Sequence, residues 1–303
     1  MNTTCVTLPS FAKINWFLRI LGKRPDGYHE IETVLQTISL HDEITFKVET
    51  DDGLLSLTCD DPSIPTSDEN LIIRAANALR DQRSYGADIT LKKRIPAQGG
   101  LGGASSNAAV TLLALNKLWR GGELTIDPAF LGADVPFFLS GGQCLATGTG
   151  TDLKPLPDGP KQYLIVVTPN ARVSTAKAYA SLNAGSLTTS ESDSILSRSP
   201  ADMLFAGSGP WTLQNDFEGV IFEIEPEIER AKLALLGAGA RGALLAGSGS
   251  SVFGVVDDEV ARDRVLDNLK CEAGWQVFPC ETLSREEYVR AMNSSGFPLF
   301  TLS

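Results

Sequence analysis

The sequence predicts an α+β fold in two domains. Strand-like and helix-like stretches alternate along the chain without a repeated parallel βαβ unit. At 303 residues and 43% hydrophobic content the chain is long enough for two cores. A short apolar, β-branched run, "KQYLIVVTP" at 161–169, reads as the buried strand that opens a second unit, so the boundary is drawn there, giving domains 1–160 and 161–303.

The elements follow in order. "SFAKINWFLRIL" alternates with period two, placing Ala12, Ile14, Trp16, Leu18 and Ile20 on one face and Phe11, Lys13, Asn15, Phe17 and Arg19 on the other, the mark of a strand. Pro-Asp-Gly punctuates the turn "KRPDGYH", and "EIETVLQTISLHDEITFKVE" continues as antiparallel strand. His41 reads as a loop residue. "DENLIIRAANALRDQ" spaces Leu71, Ile72, Ala75, Ala76 and Leu79 as an amphipathic helix, and Asn70 stands at its N-cap. "ADITLKKRIP" returns to strand. In the second half, a helix in "IFEIEPEIERAKLALLGAGA" and a strand in "SVFGVV" flank the glycine turn "LLAGSGSS". The Ser/Thr/Gly-rich stretch from Ser181 to Pro210 reads as a mobile loop. The C-terminal "AGWQVFPCETLSREEYVRAMNSSGFPLFTLS" carries no motif.

Composition excludes several classes of function. With 26 Lys plus Arg against 37 Asp plus Glu, the formal charge of −11 disfavours nucleic acid as a partner. No secretory leader and no long apolar span are evident, and five well-separated cysteines form neither a disulfide framework nor a metal motif. A cytoplasmic protein with a small-molecule ligand is expected.

The stretch "IPAQGGLGGASSNAA" carries the chemistry. Gly99, Gly100, Gly102 and Gly103 precede a helix expected to begin near Ala104 or Ser105, whose free N–H groups and dipole favour an anion. Ser105, Ser106 and Asn107 add short polar groups for a phosphate or its Mg²⁺. The competing reading is a tight turn that needs glycine for packing. Neither the GxxxxGK[ST] loop nor the GxGxxG fingerprint matches. Lys13 and Asn15 share a strand face otherwise crowded with large apolar groups, where a buried ammonium needs a partner, unless Lys13 lies at a strand edge and snorkels. Asp134, among Leu131, Val135, Phe137 and Phe138 in "LGADVPFF", wants a cation or a reacting proton, or else caps a helix.

Together with "SFAKINWFLRI", "RPDGYHEIETVLQ", "NLIIRAANAL", "LGADVPFFLSGG", "QNDFE" and "GSGSSVFG", in that order, the stretch "PAQGGLGGASSNAA" resembles the motif set of the GHMP kinases. The resemblance runs from about Pro9 to Val256. It implies a ribosomal-protein-S5-domain-2-like ATP-binding domain followed by a ferredoxin-like substrate domain, with a cleft between. It also implies ATP-dependent phosphorylation of an alcohol, with Mg²⁺. The turn "RPDGYHE" resembles the branch that acts on a cytidine diphosphate-linked methylerythritol in non-mevalonate isoprenoid biosynthesis. A kinase of homoserine, mevalonate or a sugar is the near alternative, and a non-catalytic nucleotide-binding regulator the distant one.

By this resemblance Lys13 and Asp134 are the catalytic pair. Pro96, Gly99, Gly100, Leu101, Gly102, Gly103, Ala104, Ser105, Ser106 and Asn107 take the ATP phosphates, with Asn70 and Lys93 at the nucleotide. Asn15, Tyr28, His29 and Tyr179 take the substrate, the aromatics gripping cytosine, although either tyrosine could equally be ordinary packing. No protein metal ligand is implied, and the state is monomer or homodimer. Gln98 and Ala104 stand where the family usually has glycine, and the connection from Arg120 to Phe130 is shorter than the family's. "GSGSSVFG" reads either as support for the active-site loops or as a hairpin turn. The mechanics of "QNDFE" do not follow from the sequence.

Overall fold

A computed structural model describes residues 4–48, 53–80, 85–182, 213–294 and 296–300. Two twenty-residue antiparallel strands, β1 (Thr4–Lys23) and β2 (His29–Val48), pair along their whole length around the Pro-Asp-Gly turn. Further strands are β3 (Leu55–Cys59), β4 (Ala87–Lys92), β5 (Gln143–Thr147) and β6 (Asp152–Pro155). Together with the two-residue β8 (Gln214–Asn215) they build one sheet in the order β3-β4-β2-β1-β8, with β5 on a free stretch of β2 and β6 on β5.

Helices α1 (Leu71–Leu79) and α2 (Gly103–Leu115) cover that sheet with Ile72, Ala76, Leu79, Val110 and Leu112 in its core. A π turn (Asn116–Arg120) and a 3-10 turn (Pro128–Leu131) make the short connection to the one-turn α3 (Val135–Phe138). Among the described residues a second sheet runs β11-β7-β10-β9, antiparallel throughout. Its strands are β7 (Tyr163–Thr168), β9 (Gly242–Leu245), β10 (Val252–Val256) and β11 (Gln276–Glu281). Helices α5 (Glu218–Ile224), α6 (Pro226–Gly237) and α7 (Glu259–Asn268) pack with it, and α4 (Thr175–Ala180) follows β7. The last helix, α8 (Arg285–Met292), returns to the core of the first sheet through Tyr288 and Met292.

Strand β1 departs from simple alternation. Register shifts at Phe11/Ala12 and Asn15/Phe17 rotate the strand, so Phe17 joins Ala12, Ile14 and Trp16 in a seam shared with Leu164, Val166 and Phe253 of the second sheet. Trp16 meets Phe253 edge to face at 5.8 Å. The two faces read from the sequence therefore hold only between the bulges. His41 lies in β2 and not in a loop; its ring packs 5.2 Å from Phe11 and Nδ1 pairs with the Ser39 carbonyl. The sequence-read loop lies, from residue 183 onward, outside the described residues. Among the described residues no helix is long and apolar enough to cross a membrane.

Candidate active site

A cavity of about 1660 Å³ opens against β1, the turn at 24–29, the glycine loop and α4. Lys13 enters it from a strand buried on both sides and is itself only 4% exposed. Its main-chain N–H donates to the Leu101 carbonyl at 2.9 Å, tying the glycine loop to β1. Its ammonium donates to Asn15 Oδ1 at 2.9 Å and lies 3.6 Å from Asp134 Oδ2. Asn15 is oriented in turn: its Nδ2 donates to Thr33 Oγ1 at 2.7 Å, and that hydroxyl donates to the Phe17 carbonyl at 2.6 Å. The buried cation therefore has the partner that its apolar setting demands. Asp134 stands at the N-cap position of α3 but makes no side-chain cap bond, and its carboxylate is 35% exposed toward the cavity.

The glycine loop reaches α2 one residue earlier than expected. Gly102, at φ 73°, is the N-cap, and no side chain caps the helix, so the amides of its first turn are left for an anion in the cavity. The packing reading of these glycines also holds. A Cβ on Gly100, whose φ is 74°, would lie 2.0 Å from the Ala246 carbonyl oxygen; one on Gly102 would lie 2.8 Å from the Phe138 ring. Main-chain bonds from Ser250 N to Gln98 O and from Ser251 N to Gly99 O complete the joint. The stretch from Ala246 to Ser251 is thus both the hairpin connection of β9 and β10 and the floor under the glycine loop. Gln98 adopts φ 58°, the left-handed conformation that favours glycine.

Most of the other expected phosphate and nucleotide residues line the cavity: Pro96, Gly99, Leu101, Gly103, Ala104, Ser105, Asn107, Asn70 and Lys93. Ser106 is the exception. Its side chain is buried away from the cavity and its hydroxyl accepts from Ser10 Oγ at 2.8 Å, because position 106 falls on the sheet-facing side of α2. Asn70 caps α1, accepting from Ile72 N at 2.9 Å. Lys93 gives its ammonium to Asp42, at 2.9 Å and 3.1 Å, and to the Ile95 carbonyl.

Asp42, which the sequence reading passed over, also accepts from Arg94 N, Ile95 N and Asn107 Nδ2. It anchors the approach to the glycine loop onto α2. Asn107 thus commits one amide N–H to Asp42 while still lining the cavity.

On the aromatic wall His29 stacks on Tyr179, centroids 4.8 Å apart and planes 22° apart, and Tyr179 meets Phe217 edge to face at 4.9 Å. Burial, with the Asp134 charge adding to it, pushes the Tyr179 phenol up to about 12. Burial and the nearby Lys23 charge hold the His29 imidazole below its ordinary value. Tyr28 is 67% exposed.

"QNDFE" now has mechanics. Asn215 Nδ2 donates to the Leu245 and Gly247 carbonyls, Asp216 accepts from Ile20 N, and Glu218 accepts from Leu245 N and Lys232. The motif fastens the second glycine turn to β1. Ser248 of that turn meets Thr175 Oγ1 at 2.9 Å on the cavity wall, a contact that sequence spacing did not suggest.

Comparison with known proteins gives a consistent picture. The model for the GHMP kinases N terminal domain matches residues 70–142, and that for GHMP kinases C terminal matches residues 198–274. The 4-diphosphocytidyl-2-C-methyl-D-erythritol kinase of Syntrophus aciditrophicus (strain SB) is 40% identical over 273 residues, which span 88% of this chain and 95% of that protein. A crystal structure of 4-(cytidine 5'-diphospho)-2C-methyl-D-erythritol kinase superposes with a TM-score of 0.75 at 31% identity, covering 91% of this chain and 98% of that one. The homoserine kinase from Cytophaga hutchinsonii ATCC 33406 superposes at 0.66 with 19% identity, over 92% of this chain and 95% of that one, and shares the fold alone.

Proposed function

The chain belongs to the 4-diphosphocytidyl-2-C-methyl-D-erythritol kinases of the GHMP superfamily, and from that premise we propose how its residues carry out the reaction. It is an ATP-dependent small-molecule kinase, phosphorylating the C2 hydroxyl of 4-diphosphocytidyl-2-C-methyl-D-erythritol in the methylerythritol phosphate route to isoprenoids.

The observation that carries the reading is the Lys13–Asp134 pair, 3.6 Å apart, on the same cavity as the uncapped start of α2. Phosphoryl transfer needs alignment and charge compensation more than covalent help. The first-turn amides of α2 and the backbone of the glycine loop hold the nucleotide phosphates. Asp134 Oδ2 takes the proton of the attacking hydroxyl. The Lys13 ammonium, held by Asn15 and Thr33, steadies that carboxylate and offsets charge on the phosphoryl in transit. His29 and Tyr179, with Tyr28 at the rim, supply flat surfaces for the cytosine.

Mg²⁺ fits the donor set. Among the described residues no group of three or more metal-ligating side chains converges, while Ser105 and Asp134 offer hard oxygens to the cavity. An ion that keeps water and nucleotide ligands needs no more from the protein than these two. When bound near Ser105 and Asp134, Mg²⁺ would offset negative charge on the nucleotide phosphates. The cytoplasm is the proposed location; all five cysteines are free thiols, which suits a reducing compartment.

The test is ATP consumption by the purified protein with Mg²⁺ on 4-diphosphocytidyl-2-C-methyl-D-erythritol, homoserine, mevalonate and galactose. Turnover confined to the cytidyl substrate is expected. Turnover on another of the four, or ATP binding without consumption on all of them, overturns the reading.

A further inference from the structure

The family's C-terminal model ends at residue 274, yet α8 beyond it packs against the two elements that carry the reacting pair. The helix is firmly started: Ser284 accepts from Glu287 N at 3.1 Å and Glu287 answers by accepting from Ser284 N at 2.9 Å. Its Tyr288 is buried between two elements. On one side its ring lies 5.6 Å from the Phe11 ring, on the strand that carries Lys13 two residues later. On the other its hydroxyl donates to the Phe138 carbonyl at 2.5 Å, at the end of the one-turn helix that Asp134 begins.

No slack remains around it. A Cβ on Gly141 would lie 2.4 Å from the Tyr288 ring, and the Phe138 side chain in turn packs against Gly102. From the same helix, Arg285 Nη2 donates to the Gly141 and Gln143 carbonyls at 3.1 Å and 3.0 Å. A four-residue helix with no side-chain N-cap has little stability of its own, so its position comes from what packs on it.

We infer that Tyr288 is a positioning residue of the phosphoryl-transfer site: standing between Phe11 of β1 and the Phe138 carbonyl of α3, it sets the separation at which Lys13 and Asp134 meet. The inference rests on the reading of Lys13 and Asp134 as the reacting pair. Burial pushes the Tyr288 phenol well above its ordinary value, so it stays a donor at every working pH.

Tyr288→Phe keeps the ring and removes the bond. The expected result is a kcat about tenfold lower with KM for ATP and for the cytidyl substrate within about twofold, since a sub-ångström misplacement of reacting groups acts on rate more than on binding. Leu79→Ala, in α1 of the same core, is the control; it should lower Tm while leaving kcat within about twofold.

Asp134→Asn is assayed alongside. An inactive Asp134→Asn with a slow Tyr288→Phe supports the inference. An inactive Asp134→Asn with a Tyr288→Phe of normal kcat overturns the positioning role and leaves the catalytic reading standing. An active Asp134→Asn overturns both. If Tyr288→Phe does not accumulate folded, Arg285→Lys loosens the same turn from the neighbouring residue; a kcat about threefold lower is expected, and an unchanged kcat overturns the inference.

Discussion

Lys13 and Asn15 on the reacting wall of the cavity are 4% and 2% exposed and held by other polar groups, whereas Tyr28 on the aromatic wall is 67% exposed and follows a Pro-Asp-Gly turn. The first wall is assembled before any ligand arrives, by main-chain bonds from β1 to the glycine loop and from that loop to the second glycine turn. The second is made of ring contacts between a turn and a helix of six residues. In the proposed reading, chemistry that depends on alignment falls on buried strands, and the grip on a flat base falls on rings beside an exposed turn.

The comparison predicts where substitutions act and how strongly. The largest effect belongs to the reacting wall: Lys13→Ala should lower kcat by about 10³-fold with KM for ATP changed only severalfold, because the lost ammonium acts in the transition state. Steady-state kinetics on both substrates checks this, and a loss appearing mainly in KM would break the contrast. Next comes the joint beneath it. Gly100→Ala forces a side chain onto a left-handed backbone and against the Ala246 carbonyl, so it should cost about 3 kcal/mol of stability. Thermal unfolding should show a midpoint lower by about 6 °C or more.

The reacting wall was also the more legible of the two in sequence. A lysine and an asparagine in a strand of large apolar residues, and an aspartate among phenylalanines, announce partners because isolated burial is so unfavourable. Strands β1, β2 and β4 and the helix from Leu71 to Leu79 were legible from their periods, and Asn70 from its capping position, whereas the short β3, β5, β6 and β8 were not.

What failed to show was set by three-dimensional pairing. The register shifts at Phe11/Ala12 and Asn15/Phe17 leave no mark on local composition, so Phe17 was assigned to the wrong face. Ser106 looked like a phosphate donor until the start of α2 at Gly103 turned it toward Ser10. The pairing of Lys93 with Asp42, fifty-one positions earlier, left no sequence signal, although Lys93 does line the cavity. Likewise α8 lies in the C-terminal stretch that carried no motif, and even an amphipathic pattern names a buried face while leaving open what it is buried against.

A sharper use of the comparison lies on the aromatic wall. Tyr179→Ala removes the ring that His29 stacks on and that Phe217 backs. KM for the cytidyl substrate should rise about tenfold, the scale of one aromatic pair, with KM for ATP unchanged. Equal changes in both constants would mean that the two walls are not separable.

The smallest effect comes from acid. His29 has a folded-state pKa below its ordinary 6.5, first because burial disfavours the imidazolium and then because Lys23 repels it. At neutral pH the ring facing Tyr179 is therefore uncharged. Below about 6.5 the unfolded chain binds the proton more readily than the folded one, so this contribution to stability is present above that pH and declines as the pH falls toward the folded value. Once His29 is protonated in the folded protein, the cation prefers water to the stacked position. KM for the cytidyl substrate should then rise about threefold as the pH falls through that folded value below 6.5, and His29→Phe should flatten that rise while leaving the ATP constant untouched. A His29→Phe variant with the parent's pH dependence would move the titrating group elsewhere. The aromatic wall can be tuned by pH in this way because its turn lies open to water, with Tyr28 beside His29 two-thirds exposed.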